Sequence, residues 1–373
     1  MKNFNFSIHE RADYNLKIQK DLDIIKKIIV NRVEDVLNII LVGGFGRGEG
    51  SIILFENKII PINDYDFVII TFNYLSNKII NDIKKEILNQ VGIRQIDIVN
   101  IQKKNLKKIK NSIFNYDLKY ASYNLYGDTK IYELIPSINS KMSFDEIKRP
   151  LFVYLSALLL SFPKKQNYSL YSTIEKFWVF QQITKSILGW SMSKLCFINN
   201  YDPSYKNRNL NFQKFFKDNS DECKLVDIAT SFKLNPTINI PKNLEDIWHI
   251  NKKIHLDTLF NFYNKRNIFK EVNLNMIVKN YKYEFSNIIK ILYGYIFKNS
   301  SYKNHIHLMS SIIYLLISYQ NNYTKSVDLT KTINELKKMN IFLDKNIKIE
   351  NLVNKLISID PNCHRFINTE NFY

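Results

Sequence analysis

The chain is poor in residues that work through covalent or redox chemistry. Its three cysteines, Cys196, Cys223 and Cys363, stand far apart and form no Cys-x-x-Cys pair. That excludes a disulfide framework and a cysteine-based zinc finger, and fits reduced thiols in the cytoplasm. The histidines are also scattered. His305-Ile306-His307 would hold a metal only with a further ligand at suitable spacing, which is lacking, and His249, His255 and His364 are too dispersed for a zinc site. No Ser/His or Cys/His arrangement supports a nucleophilic mechanism. Long hydrophobic runs are missing too: the longest, near 151–162 and 312–317, are shorter than a membrane span. The first residues, MKNFNFSIHERADYN, have no apolar core of a secretory signal. A soluble cytoplasmic protein with no membrane partner is expected.

Lys and Arg total 53 against 35 Asp and Glu, a net charge of +18. Such an excess favours anionic partners. It carries less weight here, because Lys, Asn, Ile, Tyr and Phe are abundant together, the set that AT-rich codons supply. A hydrophobic fraction of 45% in 373 residues is enough for a folded chain with two domains.

Glycine is scarce, and that makes its placement informative. Of nine glycines, Gly43, Gly44, Gly46, Gly48 and Gly50 fall within eight residues. They follow the aliphatic run 38–42, which reads as a short buried strand. Glycine lets the backbone turn sharply and approach a ligand closely. Arg47 and Glu49 sit in the same loop. Arg47 is a planar, bidentate donor suited to phosphate, or alternatively the partner of Glu49 or of a nearby acid. No Gly-Lys-Ser/Thr follows, so a Walker-type loop is a poor reading.

About a dozen residues on, Asn63-Asp64-Tyr65-Asp66 opens a second apolar run. Alternation along a strand points Asp64 and Asp66 the same way. Adjacent carboxylates repel unless a cation joins them, and hard oxygen ligands favour Mg2+ or Mn2+. A lone acid, Asp97, interrupts a third apolar strand, where an unpaired carboxylate is costly. Beside Asp64 and Asp66 it would complete a three-carboxylate cluster for two metals, the apparatus of phosphoryl or nucleotidyl transfer. The other reading of Asp97 is a partner for Arg94 or a loop amide.

Gly43-Gly44, Asp64-Tyr65-Asp66 at the start of a hydrophobic strand and Asp97 on a later one resemble the signature of the polymerase-β-like nucleotidyltransferase superfamily, over about residues 35–135. The resemblance implies that the turn, Gly43, Gly44, Phe45, Gly46 and Arg47, cradles the triphosphate of an NTP. It implies that Asp64 and Asp66 bind both catalytic metals, and that Asp97 binds one and helps activate the attacking hydroxyl. Gly-Gly stands where the family usually has Gly-Ser, so backbone amides would replace one hydroxyl contact. In related enzymes a segment comparable to Leu125-Tyr126-Gly127-Asp128 closes the domain beside the nucleotide; a plain turn is the other reading.

Helical spacing marks 14–37 and 76–91, the latter capped near Ser76 or Asn77 and ended by Gly92. The order helix, strand, glycine turn, strand, helix, strand fits a small mixed sheet with helices on one side. Lys103, Lys104, Lys107, Lys108 and Lys110 form either a solvated helix face or a surface for a phosphate-rich acceptor. Ser143 and Glu146 make a capping box. Beyond it, helical patterns at 171–197, 245–263, 276–297 and 306–319 are separated by polar loops at 199–211 and 234–243. The expected class is α+β: a catalytic domain over 1–140 and a mostly helical acceptor-binding domain over 141–373.

In the helical part, Glu175, Lys176 and Lys185 are candidates for a base or a phosphate contact, or else an exposed polar stripe. Trp178, Phe180 and Trp190 read as core before a base-stacking platform. The expected partners are an NTP and a small-molecule acceptor such as a sugar phosphate or an antibiotic. Transfer to tRNA or protein is the alternative, and an inactive nucleotide-binding scaffold a third reading.

Overall fold

The computed structural model describes residues 4–9, 11–93, 95–163 and 168–264, with 312, 316, 329–339, 341, 343 and 348–359. The expected α+β class holds: a small mixed sheet is followed by helices. Strands β1 (Val36–Val42), β4 (Tyr65–Thr71), β5 (Ile96–Gln102) and β6 (Tyr123–Tyr126) form a sheet in the order β5-β4-β1-β6. β1 runs antiparallel to β4 and β6, and β4 runs parallel to β5.

β1 and β4 are almost wholly apolar because both faces of the sheet are covered. Ile39, Leu41, Phe67 and Ile69 face one core, shared with helices α1 (Ala12–Arg32) and α3 (Asn77–Val91). Ile40, Val42, Val68 and Ile70 face a second, built with Leu106, Leu118, Ile131, Ile135 and Ile138. Helices were expected on one side only. The long helices do share a face, but the other is covered by α4 (Ile113–Tyr120) and two 3-10 turns, Lys103–Lys108 and Thr129–Leu134. These are too short to show a helical period.

α1 buries Ile18, Leu22, Ile25 and Ile29 at three- and four-residue spacing. Truncating one of them to Ala costs about 2–5 kcal/mol. α3 starts where Ser76 Oγ accepts from the Ile79 amide at 3.3 Å and stops at Gly92, φ 73°, as its caps suggested. The hairpin of β2 (Ile52–Phe55) and β3 (Lys58–Pro61) was not anticipated. Glu56 and Asn57 turn it with φ of 47° and 62°, a primed turn without the usual glycine.

The chain divides into two compact units that alternate along the sequence. One holds residues up to 147 together with 195–237; the other holds 148–194 and 238–370. In this division 195–237 joins the unit of the glycine turn. Within that unit, α8 (Tyr205–Phe215) occupies much of the 199–211 stretch read as a loop, and α9 (Ser220–Leu234) follows.

In the second unit lie most of α5 (Phe144–Val153), α6 (Leu155–Leu160), most of α7 (Thr173–Phe197) and α10 (Leu244–Asn264). Glu175 and Ser172 cap each other at the start of α7. Phe180 and Trp190 are core residues, and Trp190 donates to Asn251 Oδ1 on α10 at 2.9 Å. The patterns at 276–297 and 306–319, except 312 and 316, and His305, His307, Cys363 and His364 lie outside the described residues. Among the described residues, no helix is long and apolar enough to cross a membrane.

Candidate active site

Strand order brings the candidate residues to one end of the sheet. Because β1 and β4 are antiparallel, the last residue of β1, Val42, pairs with Asp66 near the start of β4. Because β4 and β5 are parallel, Asp66 pairs with Asp97 near the start of β5. Asp64 lies one residue before β4 and shares the Asp66 face. Each of the three offers a carboxylate oxygen within 4.8 Å of the others, and all three side chains are half-buried. Burial, with Asp64 and then Asp97 nearby, holds the Asp66 carboxyl well above the usual range, opposed by Arg47 and Lys233. Gln95 Nε2 donates to Asp64 Oδ2 at 3.3 Å, and Lys84 Nζ lies 3.5 Å from Asp97 Oδ1. Three converging carboxylate oxygens, whose mutual repulsion a cation would relieve, are the ligand type a hard divalent ion takes.

Gly43 follows Val42 and so faces Asp66 directly. Its φ is 67°, and a Cβ there would meet Asp66 Oδ2 at 2.2 Å. Glycine is required both by conformation and by the closeness of the acid. The turn itself winds into a four-residue helix, α2 (Gly43–Gly46), closed by the Glu49 amide donating to Gly44 O at 2.8 Å. Gly46 packs against β1, since a Cβ there would meet Leu41 O at 2.2 Å. Phe45 points into the core, with its ring 4.8 Å from that of Tyr65, so only its backbone faces the turn.

Arg47 turns inward. Its Nη1 donates to Asp117 Oδ2 at 3.0 Å, its Nε is 3.7 Å from Glu49 Oε2, and Tyr205 lies under the guanidinium at 5.2 Å. Burial would lower its pKa, but Asp117, Tyr205, Tyr201 and Glu49 raise it, so the group stays charged. Asp117 also accepts from Tyr201 Oη at 2.7 Å. Burial pushes its carboxyl up, opposed by Arg47 and Tyr201. Glu49, read at most as a partner for Arg47, also caps α8: it accepts from Ser204 Oγ at 2.7 Å and from the Tyr205 and Lys206 amides at 2.8 and 3.2 Å. The loop is therefore clamped from α4 and α8.

Residues missed from the sequence gather here. Arg208 stacks on Tyr205 at 4.3 Å, and Lys233 Nζ lies 5.2 Å over the same ring. Ser51 Oγ donates to Lys233 O at 2.5 Å, tying the end of α9 to the strand after the turn. Burial would raise the Tyr205 hydroxyl, but Lys233, Arg47 and Arg208 bring it below the usual tyrosine range. No local pattern singles these residues out; the one signal was the rarity of arginine in the chain.

Two expectations meet the opposite end of the sheet. The lysine run begins where β5 ends, whereas Asp97 stands at its start. In the register of β6, Tyr126 pairs with Ile39, and Gly127 lies against Leu37 O. Asp128 accepts from the Lys130 amide at 2.9 Å and caps a turn. Leu125 and Tyr126 thus end β6, and Gly127 and Asp128 form a turn beyond it, away from Asp66. Glu175, Lys176 and Lys185 belong to the second unit.

Compared with known proteins, the chain matches no family model, and no curated protein matches it.

Proposed function

We propose that the chain is a metal-dependent nucleotidyltransferase that moves NMP from an NTP to a hydroxyl or phosphate of a small-molecule acceptor. The observation that carries this reading is the convergence of Asp64, Asp66 and Asp97 beside Gly43 at one end of the sheet. Asp64 and Asp66 would hold Mg2+ or Mn2+, with Asp97 completing the set. A divalent ion bound there supplies Lewis-acid stabilisation of charge on the phosphates.

The chain's own residues do the rest. The backbone of Gly43 and Gly44 receives the triphosphate where no side chain intervenes. Arg47 braces that turn through Asp117 and Glu49 and adds its charge beside Asp66. Asp97 takes the proton of the acceptor hydroxyl at a carboxylate oxygen. The acceptor oxygen bonds to the α-phosphorus as the bond to the bridging oxygen of the β-phosphate breaks, and pyrophosphate leaves. In-line positioning and fixed charge supply most of the rate.

The test supplies each of four α-labelled NTPs with Mg2+ and a cell extract separated into metabolites, RNA and protein. Label in the metabolite fraction, lost in Asp64→Asn with Asp66→Asn, supports the proposal. Label in RNA or protein replaces the acceptor class. NTP binding with no transfer to any fraction reassigns the chain as a nucleotide-binding scaffold.

A further inference from the structure

The triad already carries a resident cation. Lys84 Nζ is 3.5 Å from Asp97 Oδ1, and the two side chains are 27% and 29% exposed. This lysine is not a loose surface charge. It belongs to α3, the connection between β4 and β5, whose Ile83 and Ile87 are buried against the sheet. α3 is held in turn against α1. The helix that joins the two acid-bearing strands therefore also delivers an ammonium to the third acid.

We propose that Lys84 is a built-in counter-ion of the triad that competes with a free divalent ion at Asp97. The inference rests on the metal-binding role given to the triad under "Proposed function". Three carboxylates with oxygens within 4.8 Å of one another would repel strongly if bare, and one ammonium offsets part of that charge. An arriving divalent ion meets the positive charge of Lys84 and must share Asp97 with it. The consequence is weak affinity for the free ion. Metal then loads together with the nucleotide, whose phosphates supply the missing negative charge. Lys84 is thus a positioning residue that sets the order of loading.

The experiment uses the full chain without nucleotide and Mn2+ alone as probe, with bound ion read by electron paramagnetic resonance. Lys84→Met removes the charge but keeps the length. It is expected to bind Mn2+ about tenfold more tightly, the order of effect of one unit charge close to a divalent ion in a largely water-like medium. Lys84→Arg is expected to stay within about twofold of the parent chain, because the charge is kept. Lys84→Gln is measured beside Lys84→Met as a polar variant that also lacks the charge, and it must move the same way. A purely structural role predicts the opposite sign, since a loosened Asp97 would bind metal less well. Affinity unchanged or weakened in both neutral variants overturns the inference while leaving the metal site standing. If neither the parent chain nor the two neutral variants bind Mn2+, or if binding survives Asp64→Asn with Asp66→Asn, the metal reading falls and this inference with it.

Discussion

Glu49 offers the sharpest check on how the glycine turn is held. Its side chain is 8% exposed. It accepts from Ser204 Oγ and the Tyr205 and Lys206 amides at 2.7, 2.8 and 3.2 Å, and Arg47 Nε lies 3.7 Å away. Glu49→Ala leaves two amides at the start of α8 without their acceptor and leaves Arg47 with Asp117 as its carboxylate partner. Hydrogen bonds to a charged group contribute about 1.5–3 kcal/mol each, but groups in one network are not additive. Breaking a buried charge from its partners costs about 3–5 kcal/mol in total, and that is the expected loss. Glu49→Gln keeps one acceptor oxygen and the shape, with an expected loss of about 2 kcal/mol. Because the chain has two units, one melting temperature is a blunt readout. Denaturant unfolding should be paired with hydrogen exchange at the Tyr205 and Lys206 amides, which are expected to open before the sheet does. A loss below about 1 kcal/mol in Glu49→Ala, with exchange at α8 unchanged, would refute the clamp.

Gly43→Ala places a methyl where a Cβ would stand 2.2 Å from Asp66 Oδ2, at φ 67°. It should destabilise the unit by about 2 kcal/mol or more, from positive-φ strain plus the clash, and abolish Mn2+ binding; a variant with parental metal affinity would contradict the geometry. In the second unit, His255 Nε2 donates to Leu151 O at 2.7 Å and Nδ1 accepts from Ser186 Oγ at 2.9 Å. Leu151 O can only accept, so this neutral tautomer is the one that fits, and burial lowers the His255 pKa from 6.5 to about 4. A histidine whose pKa is lowered on folding contributes stability above the unfolded value of 6.5 and loses it as pH falls towards 4. The loss is about 3 kcal/mol. His255→Gln should flatten the stability profile between those values; an unaltered acid limb in urea titrations would sink the assignment.

Much of this architecture is readable from the chain itself. The glycine cluster marks the turn because only glycine tolerates its backbone and the nearness of Asp66. The alternation of β4 places Asp64 and Asp66 on one face, since side-chain direction along a strand is a local property. The ends of α3 follow from Ser76 and Gly92 for the same reason: caps answer to neighbouring amides. α8 was read as a loop although Ser204 Oγ caps it locally, accepting from the Asn207 amide at 3.1 Å; its further acceptor, Glu49, lies 155 residues before Ser204.

Only tertiary structure could decide the rest. An antiparallel β1–β4 pair and a parallel β4–β5 pair bring the turn and all three acids to one end of the sheet, and the same register sends the lysine run and Asp128 to the other. Arg47 was a phosphate donor or a partner of Glu49 on sequence grounds; its closest partner is Asp117, 70 residues away. Lys84 looks like any exposed helix lysine until α3 lies across β5. Local sequence sets backbone period, turns and caps, because these depend on near neighbours. Which charges meet depends on strand order and register, and those are set by burial of the whole core.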